Sequence, residues 1–165
     1  MALVGFLSDS HGEWLRTRQA IKLLIKSNCK KIIHLGDIET VEVLDELAGH
    51  NVSLVFGNCD YPSRLLDYAV TVGIDVQHPA GTLQIDRLKI GFLHGHDIDQ
   101  YNLFLKDENI DVVAHGHTHE MRDEHVGNTR CINPGALHRA TRYTVGVLNT
   151  ETNLFEFLEV SECND

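Results

Sequence analysis

A single α/β domain over residues 1–165 is predicted by three features of the sequence. Short apolar segments alternate with helical periodicities in the first third of the chain, strand-like segments with tight turns fill the second half, and each apolar segment stops at a small polar cluster. Ala2 to Leu7 reads as a strand that ends at Ser8-Asp9-Ser10-His11-Gly12, and Trp14, Ala20, Ile21, Leu23, Leu24 and Ile25 then recur at helical spacing. Lys31 to Leu35 is a second strand, closed by Gly36-Asp37. Val41, Val43, Leu44 and Leu47 mark a second helix ending near Gly49, and Val52 to Phe56 is a third strand stopped by Gly57-Asn58. Such a β-α-β-α-β series calls for parallel strands with crossover helices.

From Tyr68 onward the pattern changes. Val70, Val72, Ile74 and Val76 alternate as in a strand, and Thr82 to Ile85 turns at Asp86-Arg87 into Leu88 to Leu93 as an antiparallel hairpin. A helix from about Ile98 to Glu108 leads into a strand at Asp111 to Ala114, and four further strands follow at Met121–Val126, Thr129–Ile132, Tyr143–Leu148 and Leu154–Leu158. The second half is therefore expected to be mostly antiparallel sheet.

Composition narrows the function classes. With 42% hydrophobic and 23% charged residues the chain is globular, and 14 Lys and Arg against 24 Asp and Glu give a formal charge of −10, the wrong sign for gripping a phosphate backbone. Stable nucleic-acid binding is not expected. Cys29, Cys59, Cys131 and Cys163 lie far apart with no CxxC pair, so neither a disulfide framework nor a zinc ribbon is written here. No run of about 18 apolar residues occurs and the first seven residues are too short for a signal core, so the expected setting is cytoplasmic, with no membrane. The unusual count is 11 His, which asks for metal or acid-base chemistry.

Five clusters sit where strands stop: Asp9-Ser-His11, Gly36-Asp37, Gly57-Asn58-Cys59-Asp60, His94-Gly-His96 and Gly116-His117-Thr-His119. That edge of an α/β sheet is where ligands bind. Residues i and i+2 of extended chain point the same way, so Asp9 with His11, and His117 with His119, can each aim two donors into one space. The mixture of imidazole and oxygen donors suits a transition metal better than Mg or Ca.

The order and spacing of the five clusters resemble the calcineurin-like metallophosphoesterase superfamily, in its small single-domain prokaryotic phosphodiesterase branch. The resemblance runs from Leu3 to the strand after Asn133-Pro134-Gly135. It implies a four-layer αββα sandwich of two mixed sheets flanked by helices, and a binuclear site in which Asp9, His11 and His119 hold one divalent ion, Asn58, His94 and His117 hold the other, and Asp37 bridges them. The cofactor implied is a pair of divalent transition metal ions, Mn2+ first, with Ni2+, Fe2+, Co2+ or Zn2+ as alternatives. The activity implied is hydrolysis of small phosphodiesters by a hydroxide that bridges the two ions. Two carboxylates against two divalent cations leave about two positive charges, which suits a hydroxide and a diester anion better than a monoester dianion.

Two departures and several plainer residues accompany the resemblance. Cys59 stands where many members have a His that protonates the leaving oxygen; a thiol donor and a packing residue are both open readings, and His96 is the other candidate acid. Asn133-Pro-Gly-Ala136 carries Ala in place of the family's Ser. His34 and His115 lie in or at the end of strands and are expected to be neutral and hydrogen-bonded rather than ligands, while His50, His78, His125 and His138 receive no role. Arg139 and Arg142 read as exposed loop charges as readily as phosphate donors, and Trp14 as helix packing. The competing functions are a non-catalytic protein-binding scaffold of the same fold, a phosphomonoesterase and a nuclease; a homo-oligomer stays open. A scaffold has no need of the full donor set that this chain keeps.

Overall fold

The computed structural model describes residues 2–161, so Cys163 lies outside the described residues. The elements are β1 (Leu3–Leu7), α1 (Trp14–Lys26), β2 (Lys31–His34), α2 (Val41–Leu47), β3 (Val52–Leu54), α3 (Pro62–Thr71), β4 (Asp75–Val76), β5 (Ala80–Ile85), β6 (Leu88–Leu93), α4 (Ile98–Lys106), β7 (Val112–Ala114), β8 (Met121–Val126), β9 (Thr129–Pro134), β10 (Thr144–Asn149) and β11 (Phe155–Glu159). They form two mixed sheets, ordered β11-β10-β1-β2-β3-β4 and β5-β6-β7-β9-β8. In the first, β1 to β4 run parallel and β10 returns antiparallel to β1; in the second, β6, β7 and β9 run parallel between antiparallel edges.

The layering follows from side-chain alternation, which sends successive residues of a strand to opposite faces. Leu7, Ile32 and Leu54 pack outward on Ala20, Ile21 and Leu24 of α1, Val43, Leu44 and Leu47 of α2, and Leu65 and Ala69 of α3. Their neighbours Phe6 and Ile33 turn inward to meet Ile90, Phe92, Val112, Ala114 and Ile132 of the second sheet. On the far side, Leu93, Val113 and Cys131 pack under Tyr101, Phe104 and Leu105 of α4. The result is the expected αββα sandwich. Central strands buried on both faces read as unbroken apolar runs for this reason.

Two expectations need correction. The alternation from Val70 to Val76 is not a strand: Pro62 opens a helix whose buried residues Leu65 and Ala69 are one turn apart, Val70 is 58% exposed on its outer side, and only the two-residue β4 is extended. The second half is mostly antiparallel, as expected, in the pairs β5-β6, β8-β9, β10-β11 and β10-β1, although β6, β7 and β9 run parallel at the centre of its sheet and β10 and β11 cross back to the first sheet. Trp14 is 38% exposed beneath the Arg18 guanidinium rather than packed on the sheet. No helix among the described residues is long and apolar enough to cross a membrane.

Candidate metal centre

The loops that follow β1, β2, β3, β6 and β7 meet at one edge of the sandwich. The first two are zipped together, with the N–H groups of Asp9, His11 and Gly12 donating to the carbonyls of Gly36, Asp37 and Ile38 at 3.0, 2.9 and 3.0 Å. Asp60 ties in the third: its carboxylate accepts from the backbone N–H of Asp37, Ile38, Glu39 and Gly57 at 2.7 to 2.9 Å. Burial nevertheless lifts the Asp60 carboxyl above its ordinary pKa, against the pull of those donors. Gly57 and Gly116 allow the closest approaches. A Cβ on Gly57 would sit 2.1 Å from Asp37 Oδ1, and one on Gly116 would sit 1.9 Å from Ser8 Oγ and 2.8 Å from Asp9 Oδ2.

Backbone strain concentrates here. Asp9, His11, Asp37, Glu39, His117 and His119 all have φ between 42° and 70°, a region that non-glycine residues enter at a cost and that clusters at functional sites. The strained backbone turns their side chains inward. His119 Nε2 lies 3.2 Å from Asp9 Oδ1 and 3.3 Å from His11 Nε2. Asp37 Oδ2 is 3.4 Å from His11 Nε2 and 3.3 Å from His94 Nε2, which is itself 3.1 Å from Asn58 Oδ1. The His117 ring stands 5.2 Å from that of His94, and its backbone N–H donates to Asp9 Oδ2 at 3.1 Å.

These separations suit one ion within reach of several donors, since ligand atoms each about 2.0–2.2 Å from a cation stand roughly 3 to 3.5 Å apart. Asp9 Oδ1 gives the sharper test: it is buried and accepts no hydrogen bond, a costly state for a carboxylate oxygen that a cation would relieve. The donors are also oriented. His94 Nδ1 donates to the Leu35 carbonyl at 2.8 Å and His11 Nδ1 is 2.7 Å from Glu39 Oε1, so in each ring Nε2 is the nitrogen left to face the carboxylates. Asp9, His11 and His119 form one group with ligand atoms within 4.8 Å of one another, and Asp9, Asp37 and His94 form a second. The residues present fit divalent metal.

Charge is arranged to match. Burial works against the Asp37 carboxylate, but its bond to His94, the Cys59 N–H at 2.9 Å and His11 together hold its pKa well below the usual range. Desolvation alone would depress His94, yet Asp37 and Asp9 leave it raised. His117 is lowered, mainly by burial. The Cys59 thiol is pushed up to about 11 by desolvation and by Asp37, which makes it a poor proton donor near neutrality.

A cavity of about 330 Å³ opens over the carboxylates, walled by His11, Asp37, Asn58, Cys59, His117 and His119 together with Glu39, His138 and Arg139. Glu39 and His138 carried no role in the sequence reading, and their signal is tertiary: each matters through a partner far along the chain. His96 is exposed and does not wall the cavity, although its ring lies 5.4 Å from His94 and 6.2 Å from His117. His34 and His115 are the hydrogen-bonded histidines expected. Gly36 N–H donates to His34 Nδ1 and Ser10 Oγ meets its Nε2 at 2.7 Å, and burial drives its pKa to about 3; His115 falls to about 4 for the same reason.

The model of the calcineurin-like phosphoesterase superfamily domain matches residues 2–153. The chain belongs to this superfamily. Members of the superfamily depend on divalent metal ions, so the phosphoesterase reading and the donor cluster agree. Among its relatives is Phosphodiesterase MJ0936 of Methanocaldococcus jannaschii, 30% identical over 154 residues that cover 90% of this phosphoesterase and 93% of that protein. Phosphodiesterase YfcE of Escherichia coli is 29% identical over 150 residues, covering 80% and 77%. A solved archaeal phosphodiesterase superposes with a TM-score of 0.86 at 29% identity over 95% of this chain and 99% of its own. The Vps29 of Entamoeba histolytica, solved with Zn2+, shares the fold alone, at 19% identity and a TM-score of 0.62 over 96% of this chain and 99% of its own. The relatives' activities support a metal-dependent phosphoester hydrolase.

Proposed function

We propose that the chain is a single-domain binuclear phosphodiesterase acting on small phosphodiesters. The observation that carries this reading is the position of Asp37, whose Oδ2 is almost equally far from His11 and from His94, 3.4 and 3.3 Å, and so can be shared between two donor groups. Asp9, His11 and His119 would hold one divalent ion and Asn58, His94 and His117 the other, with Asp37 common to both. Such ions supply Lewis acidity to phosphoryl oxygens and lower the pKa of water to near 7. Nitrogen and oxygen donors in this mixture suit Mn2+, with Ni2+, Fe2+, Co2+ and Zn2+ as competitors.

The chain's own residues orient and exclude. Glu39 and the Leu35 carbonyl fix the His11 and His94 rings, and Asp60 holds the loops that carry Asp37 and Asn58 at one spacing. His96 and Cys59 are the two groups proposed for the leaving-oxygen proton, and the raised thiol pKa favours His96. Asp9 and Asp37 offset two of the four positive charges of the ions, which favours a diester monoanion over a monoester dianion. The −10 charge opposes a polyanion, so no stable nucleic-acid complex forms.

The test is a panel of small phosphodiesters and monoesters with purified protein supplemented with Mn2+. Turnover of diesters ahead of monoesters is expected. Bound metal with activity on neither class would favour the protein-binding scaffold.

A further inference from the structure

One wall of the cavity comes from a segment that the metal-binding scheme leaves without work. After β9 the chain packs Ala136 and Leu137 fully into the interior. The Leu137 N–H donates to the Ser8 carbonyl at 3.2 Å, and its own carbonyl accepts from Arg16 Nη1 at 2.5 Å. His138 is pinned next: its Nδ1 lies 3.2 Å from Glu13 Oε1, and its ring is 5.1 Å from that of His11. These anchors fix the backbone at Arg139, whose φ of 46° is in the left-handed region that side-chain-bearing residues avoid.

Held there, Arg139 lines the cavity and, among the described residues, makes no hydrogen bond or ion pair. The other charged groups of that wall are answered. Asp37 has His11, His94 and the Cys59 N–H; Glu39 has His11; Glu13, behind His138, has Arg16 at 3.5 Å. A guanidinium is a planar fork suited to the paired oxygens of a carboxylate or phosphate, and it cannot shed its charge. It lines the same cavity as His11, His138 and the Asp37 carboxylate.

We propose that Arg139, positioned by the His138–Glu13 pair, is a specificity-determining residue that takes a second anionic group, carried on a substituent of the phosphodiester. The preferred substrate class is then a small diester with an additional carboxylate or phosphate, rather than one with neutral substituents. This rests on the phosphodiesterase reading above.

Three diesters with one leaving group test it: ethyl 4-nitrophenyl phosphate, 2-carboxyethyl 4-nitrophenyl phosphate and 2-phosphoethyl 4-nitrophenyl phosphate, each with Mn2+-loaded protein. The wild type is expected to favour an anionic tail by about tenfold in kcat/KM, mostly through KM, as one charge-assisted contact provides. Whichever of the two tails gains more identifies the group. Arg139→Gln should bring the ratio of anionic to ethyl diester to about one, and Arg139→Lys, a point charge without the fork, should restore only part of it. A wild type that treats the three alike, a preference that survives Arg139→Gln, or an Arg139→Gln loss equal on all three diesters would overturn the proposal. If no diester turns over, the phosphodiesterase reading fails instead. Calorimetric titration with ethyl methylphosphonate and 2-carboxyethyl methylphosphonate then reads the same ratio without turnover, and equal affinities would overturn the anionic subsite by itself.

Discussion

Gly57→Ala should cripple the metal centre through a single methyl group. The added Cβ would lie 2.1 Å from Asp37 Oδ1 and 2.8 Å from the Asp37 backbone nitrogen, whereas real Cβ contacts stay above 3.0 Å, so something must yield by about 0.9 Å. Neither partner is free to move. Asp37 Oδ1 accepts from the Cys59 N–H at 2.9 Å, and the backbone nitrogens of Asp37 and Gly57 are both held by Asp60 Oδ2, at 2.9 and 2.8 Å. Overpacking costs about 1–3 kcal/mol and the loss of one charge-assisted hydrogen bond about 1.5–3 kcal/mol, so the variant should lose roughly 2.5–6 kcal/mol of stability. A site of this kind tolerates displacements of about 0.5 Å, so affinity at both proposed ions should fall together. Urea denaturation of the chelator-treated protein and calorimetric titration with Mn2+ measure the two effects. Gly49→Ala is the control, because a Cβ there meets nothing within 4 Å and its φ of +78° predicts only about 1 kcal/mol of backbone cost with metal binding intact. A Gly57→Ala protein within about 1 kcal/mol of the wild type that still binds two Mn2+ at wild-type affinity would refute the reasoning.

Other perturbations separate the remaining assignments. Asp37→Asn should lower metal content at both sites together, measured by elemental analysis, and two tightly retained metals would remove Asp37 from its shared position. Cys59→Ala should reduce turnover by the same modest factor for nitrophenolate and alkoxide leaving groups, whereas His96→Ala should hurt the alkoxide by more, up to roughly 10² to 10⁴; the opposite ranking in rates at saturating Mn2+ would make Cys59 the acid. His34 is neutral in the folded protein with a pKa near 3 and protonates when exposed, so the unfolded state binds more protons below about pH 6.5 and stability falls as pH drops from there, levelling off near 3. Chelator-treated His34→Gln should show a shallower acid loss by about 1.4 kcal/mol per pH unit in urea titrations between pH 6 and 4, and identical slopes would contradict the assignment.

Most of the fold, and the polar clusters that meet at the candidate site, were legible because both depend on local pattern. Apolar runs such as Lys31 to Leu35 are buried on both faces and end at the loops that carry Asp9, His11 and Asp37. Elsewhere local pattern misled. Val70 and Val72 alternate as in a strand only because one lies on the outer side of α3 and the other caps it; the opening proline and the Leu65–Ala69 spacing were the better signal. The pairing of β10 with β1 joins residues about as far apart as the chain allows, and no local pattern specifies it. Asp60 closes the Gly57-Asn58-Cys59-Asp60 cluster, yet its hold on four backbone donors appears only when two loops are brought together. Glu39 and His138 were silent in the same way: the Glu13–His138 contact spans 125 residues. The φ values of 42° to 70° at six inward-turning residues were also invisible, because none of those positions is glycine.

Strand β1 lies between β2, which follows it directly, and β10, which comes from the other end of the described chain. The loop it launches carries Asp9 and His11, and His119 reaches them across 108 residues of intervening sequence. A growing polypeptide therefore holds the first two donors long before it can present the third, and the sheet beneath them has a raw edge until β10 docks. Contacts so distant along the chain are slow to form, since the connecting loop must close before any of them rewards the closure. In the proposed site, metal capture therefore has to wait until the loop after β7 has reached the loop after β1, a closure over 108 residues that makes it a late event in the life of each molecule.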